Sequence, residues 1–205
     1  MPLPFMSQGQ QLANSIASSY SDSLQQYRKA YILNHEVVAP DDSAMFDFFP
    51  IDEQYRIIAT FTPTKNGKWF SMKTSGSSEK IFRTYGKINF MIEGRPLELK
   101  IYQSQSLMVS DEHRDHLFLP FIDQTSGIST YESGRYIDLN IPDIQKNHVV
   151  IDFNKAYNPY CVYTSGYNCP IPPAENFLDI PIRAGEKNFR KSVSAIRVPE
   201  VPAGN

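Results

Sequence analysis

Tyr55-Arg-Ile-Ile-Ala-Thr-Phe-Thr62 is the stretch on which the fold turns. Side chains of an extended strand point alternately to opposite sides, so Tyr55, Ile57, Ala59 and Phe61 share one face. Upstream the period is different. Over residues 10–34, Leu12, Ile16, Tyr20, Leu24, Tyr27 and Tyr31 recur at helical spacing and draw one apolar stripe. Ser, Gln, Asp22, Arg28 and Lys29 fill the solvated side. The spacing predicts an amphipathic helix laid across the edge or mouth of a sheet. Residues 35–50, rich in Asp and Pro, connect it to the strands.

Downstream, Asn66-Gly67 is a strong hairpin signal, and residues 69–74 read as its return strand. Residues 80–85, 87–92 and 97–103 continue the series, with a turn at Glu93-Gly94-Arg95-Pro96. Further strands are expected at 117–121, 134–139, 149–153 and 178–182. Short strands parted by turns predict a mainly β fold, an antiparallel β-sandwich or a partly open β-barrel behind one N-terminal helix. Residues 10–187 read as a single domain, β-rich from 55 onward, with a C-terminal tail at 188–205. Residues 1–9, apolar and then abruptly polar, read either as the remnant of an export signal or as a flexible N-terminus.

Composition agrees. A chain of 205 residues is long enough for one sizeable core. With 13 Phe, 12 Tyr and 15 Pro, it favours pleated surfaces and turns over long helices. A net charge of −2 with no basic block argues against nucleic acid as a partner. No apolar run approaches the roughly 18 residues of a membrane span, so the chain reads as water-soluble. Nucleophile-elbow, P-loop and His-Glu-x-x-His signatures are missing, and no cofactor is expected.

Polar groups concentrate beside aromatics in Phe121-Ile-Asp-Gln-Thr-Ser-Gly127 with Thr130-Tyr131 and Gly134-Arg-Tyr136, in Asp152-Phe-Asn-Lys-Ala-Tyr-Asn-Pro-Tyr-Cys161, in Cys169-Pro-Ile-Pro-Pro-Ala-Glu-Asn176 and in Ala184-Gly-Glu186. This composite resembles the bacterial and archaeal DUF1684 family, a domain of unknown function, over about residues 27–187. Among its members the chain is most similar to those of Bacteroidetes-type bacteria. These usually carry export signals, which implies a periplasmic or secreted protein; a cytoplasmic location is the alternative. The resemblance supplies no activity.

Within these blocks, seven residues separate Cys161 from Cys169, and Gly166 and Asn168 let the chain double back. In an oxidising compartment the pair is expected to form a disulfide, constraining the unfolded chain by about 2.5 kcal/mol. In the cytosol it would be buried thiols or half a zinc site. His113 and His116 stand three apart beside acidic residues, but a hydrophilic loop explains them better than a metal. Alternation along residues 135–139 aims Arg135 at the core with Ile137 and Leu139, and puts Tyr136 and Asp138 on the opposite face. A buried guanidinium needs a partner, and Asp123 or Asp152 is the candidate.

Two functions follow. One is a binding or interaction module, its pocket around Arg135 lined by Tyr131, Tyr136, Tyr157, Tyr160 and Asn176. It would take a small anionic ligand or another protein. The alternative is an enzyme of uncharacterised type, with Arg135 holding an anionic substrate and Asp123, Asp152, Lys155 or Glu186 moving protons.

Overall fold

The computed structural model of the chain describes residues 8–191, with side chains from residue 18 onward. Residues 1–7, the Leu12 and Ile16 side chains of the helical stripe, and residues 192–205 of the tail lie outside the described residues. Helix α1 (Gln8–Leu33) precedes strands β1 (Arg56–Pro63), β2 (Trp69–Met72), β3 (Lys80–Ile92) and β4 (Arg95–Ser104). A one-turn helix α2 (Gln105–Met108) leads to β5 (His116–Asp123), β6 (Arg135–Asn140), β7 (His148–Asp152) and β8 (Phe177–Leu178). The strands form one curled half-barrel sheet in the order β6-β5-β4-β3-β1-β7, with β2 beside β3 and β8 beside β5. Of the two architectures expected, the partly open barrel is the one adopted. All pairings are antiparallel except β8 on β5.

The concave face carries the main core. Ala59 and Phe61, Ile88, Phe90 and Ile92, Leu99 and Ile101, Leu117, Leu119 and Phe121, Ile137 and Leu139, and Val149 and Ile151 interdigitate there. Strands β1 and β3 to β7 contribute alternate residues, which is why the period-two pattern was legible.

The Asn66-Gly67 hairpin is corrected. Asn66 does adopt the left-handed conformation, with φ 56°. However, β1 and β2 do not pair with each other. Both run antiparallel to β3, β1 along its residues 86–89 and β2 along residues 80–83. The turn is a jog between two collinear segments on one edge of β3. It is fastened where the Thr64 amide donates to the Tyr85 carbonyl at 3.0 Å.

The two strands expected at 80–85 and 87–92 are one strand with a bulge between Thr84 and Gly86. The extra residue reverses the parity of the strand. Before it, Phe82 faces outward opposite Ser104; after it, Ile88 faces inward opposite Leu99. A second, outer cluster of Met72, Phe82, Tyr102, Phe118 and Tyr136 thereby forms on the convex side. Glycine is required at 86 because a Cβ there would strike the Phe61 ring and approach the Thr62 carbonyl at 2.7 Å.

Another correction concerns residues 178–182. Only Phe177–Leu178 is strand. Beyond it the chain leaves the ladder, and the Ile182 amide donates at 3.1 Å to Asp123 Oδ1.

Helix α1 packs beside the end of β7 and the turn that follows. Leu24 is its buried residue, the Tyr20 hydroxyl donates to Asp152, and Arg28 donates to the Phe49 carbonyl at 2.9 Å. The start of the tail docks on the connection after α1, through Arg190 on the Phe46 carbonyl and Lys191 on Asp42. No described helix is long and apolar enough to cross a membrane.

Candidate functional site

Arg135 is fully buried, at 0% exposure, on the concave side of β6. Its Nη2 donates to Asp123 Oδ2 and to the Ile182 carbonyl, both at 2.9 Å. Nη1 donates to the carbonyls of Ala184 and of Glu186, the latter at 3.2 Å, and the guanidinium lies 5.2 Å from the Phe121 ring centre. Asp123 is equally committed, because Oδ1 accepts from the Thr125 amide at 2.7 Å. Burial pushes the guanidinium's pKa down and Asp123 pushes it back up. The group keeps its proton. Its Nη1 and Nη2 donors pin residues 182–186 and Asp123 across the barrel, while Nε is buried without a partner. Asp123 and the carbonyls of residues 182–186 stand where an anion was expected.

The remaining predicted residues disperse. Asn176 is a splint. Strands β4 and β5 share only the register pair Tyr102↔Phe118, and Pro120 has no amide to donate. Asn176 fills the gap: Oδ1 accepts from the Lys100 amide at 2.9 Å, while Nδ2 donates to the Lys100 carbonyl at 2.8 Å and the Pro120 carbonyl at 2.7 Å. Asp152 accepts from Tyr20 at 2.9 Å and from the Asn154 amide at 3.1 Å, away from Arg135.

Glu186 is buried beneath α1. It accepts from the Asn158 amide at 3.0 Å, from Tyr163 at 2.7 Å and from Tyr31 at 3.2 Å. Burial outweighs those bonds and pushes its carboxyl up to about 7. Its carboxylate chemistry is closed off from solvent, whereas Lys155 is exposed with Nζ 5.1 Å from the Tyr27 ring centre.

The expected disulfide is corrected as well: Cys161 and Cys169 are free thiols. The doubling-back does bring them together, but as hydrogen-bond partners, with the Cys161 amide donating to Cys169 Sγ at 3.2 Å. Hydrogen bonding from Cys169 holds the Cys161 thiol down at about 6 and drives that of Cys169 upward. Tyr131 stands over the pair, its hydroxyl 3.7 Å from Cys161 Sγ.

The convergent arrangement lies on the other face of β6. Tyr136 and Asp138 point outward, and there a cleft of about 830 Å³ opens between α1, the outer cluster and the 159–170 loop. Phe118, Tyr136 and Tyr157 form its wall in successive edge-to-face contacts of 4.7 and 5.8 Å. Asp138 sits at their edge, accepting from Tyr157 at 2.7 Å and lying 2.9 Å from His116 Nε2. With its proton on Nε2, the His116 ring donates to Asp138 and leaves Nδ1 bare, buried and without a partner.

Across the cleft His35 is ringed by Tyr31, Phe46, Tyr160 and Tyr163, with ring centres 4.5–5.6 Å away, and neither ring nitrogen has a partner. Burial pushes His35 down, so it is neutral at pH 7. Of the predicted aromatics, Tyr136, Tyr157 and Tyr160 line this cleft, and Cys169 borders it. His35, His116, Phe82 and Phe118 were missed, because their roles depend on the α1 terminus and the bulge meeting in space. The available signal was the alternation that separates Asp138 from Arg135. His113 turns instead to Glu112 at 3.8 Å, so the two histidines of that loop do not converge.

A smaller cleft of about 650 Å³ separates the free edges of the sheet, between residues 137–139 of β6 and residues 148–150 of β7. Tyr27, Asp138 and Tyr157 line both clefts. The Asp138–His116 pair has the form of an oriented general base. No hydroxyl or thiol among the described residues is hydrogen-bonded to the ring as a nucleophile would be.

A family model covers residues 43–187, more than half of the chain and all the polar blocks. The chain belongs to the DUF1684 family. That family is described as proteins of unknown function. Among solved structures, the DUF1684 chain is similar to an uncharacterized protein of Haloarcula marismortui, determined by solution NMR. The two share 27% identity with a TM-score of 0.63, over 85% of this chain and 97% of that one. A search of curated proteins gives no match.

Proposed function

We propose that the chain is a small-molecule-binding module and that its ligand occupies the aromatic cleft beside Tyr136 and Asp138. One observation carries this reading: the Phe118, Tyr136 and Tyr157 rings and the Asp138 carboxylate converge on a single cleft, which His35 and His116 also line. The volume of about 830 Å³ falls within the range of small-molecule sites, and aromatic walls with a few converging polar groups are their usual lining.

The test is a fragment library titrated into ¹⁵N-labelled protein. Binders should perturb Phe82, Phe118, Tyr136, Asp138 and Tyr157 together. Shifts confined to other surfaces, or no binder at all, would overturn the assignment. Export to the periplasm or medium is a separate part of the proposal and rests on the residues 1–9 pattern alone. Fractionation of native cells tests it, and recovery from the cytoplasm alone would refute it.

A further inference from the structure

Two carboxylates, those of Asp138 and Glu36, line the cleft, and each takes a phenolic hydrogen bond, from Tyr157 at 2.7 Å and from Tyr160 at 3.1 Å. Neither carboxylate has a lysine or arginine within ion-pair distance among the described residues. The ring nitrogens of His35 and Nδ1 of His116 are unpartnered. A phenol that donates to a carboxylate also turns an electron-rich ring face toward whatever lies beside it, and such faces attract cations. The same fold already uses its rings in this way, because Lys155 Nζ lies over Tyr27 and Arg28 lies 4.8 Å from the Phe48 ring centre. The opposing charge is Lys80 at the start of β3, exposed on the rim.

We propose that the cleft takes an organic ammonium, a protonated amine whose charge is set against Asp138 and whose apolar part lies on the Phe118, Tyr136 and Tyr157 rings. This rests on the binding reading above. The ammonium N–H groups supply the donors that the Asp138 carboxylate accepts, and the hydrocarbon part packs on the ring wall.

Three probes of nearly equal shape decide it: 2-phenylethylamine as the cation, 2-phenylethanol as its neutral counterpart and 3-phenylpropanoate as the anion. Titration calorimetry on the full chain should show the amine binding at least tenfold more tightly than either of the others. Asp138→Asn should bring the amine's affinity down to that of the alcohol measured on the same variant. Should Asp138→Asn unfold, Glu36→Gln on the exposed rim serves instead and should lower amine affinity severalfold. Equal affinities, or a preference for the anion, would overturn the ammonium assignment and leave the binding module standing. Failure of all three, together with an unproductive fragment titration, would remove the binding module as well.

Discussion

At the scale of single residues, Arg135 and Asp123 show what a buried charge is for in this molecule. The pair is wholly enclosed, and the guanidinium's other bonds reach carbonyls of residues 182–186. Arg135→Ala strands the Asp123 carboxylate and frees those carbonyls. The variant should lose about 3–5 kcal/mol in urea unfolding, and Arg135→Lys should recover little because a single ammonium does not reproduce the fork. A loss below about 1 kcal/mol would mean that the latch contributes nothing. The inward aim of Arg135 was legible, since Ile137 and Leu139 share its alternation. Its main partners were not: the acceptors at 182–186 are main-chain oxygens, and a carbonyl has no signature in the sequence. The cleft histidines were illegible for a related reason. His35 ends up beside Tyr163 through the packing of α1, which no local pattern records.

At the scale of elements, the strands were legible wherever alternation ran unbroken, as in residues 55–62 and 117–121. It failed where a turn residue had more than one use. Asn66 takes a left-handed φ for a jog as readily as for a hairpin, and Gly86 marks a bulge rather than a break. The β4–β5 seam shows the same limit, because the device that completes it lies on a loop 56 residues beyond Pro120. Asn176→Ala removes three hydrogen bonds and leaves the Pro120 and Lys100 groups without a partner. A loss of about 2–4 kcal/mol is expected. Hydrogen exchange should quicken at Lys100 first, and a variant that exchanges there at the native rate would refute the splint.

At the scale of the whole molecule, α1 is joined to the barrel through a titrating group. Glu186, beneath Tyr31 of the helix, has its pKa raised from an ordinary 4.5 to about 7, first of all by burial. The folded state therefore holds the proton more tightly than the unfolded chain. The stability this confers is complete below pH 4.5 and is lost as pH rises through about 7. The span corresponds to about 3 kcal/mol. Urea unfolding at about pH 5 and about pH 8 should show it as a falling stability that Glu186→Gln flattens. An equal slope in both proteins would assign the pH dependence elsewhere. Asn158, Tyr163 and Arg135 surround the same carboxyl or its backbone, so helix, β6 and the C-terminal segment register one proton together.

The latch on residues 182–186 also sets an order in time. A ribosome delivers α1 and all eight strands before it delivers the carbonyls of Ile182, Ala184 and Glu186 that Arg135 requires. Until those residues leave the exit tunnel, the nascent sheet carries an inward-facing guanidinium with only Asp123 to answer it. Completion of the barrel interior thereby waits for residues 182–186 to emerge, and a chain stalled before residue 182 exposes its half-made core to chaperones and proteases.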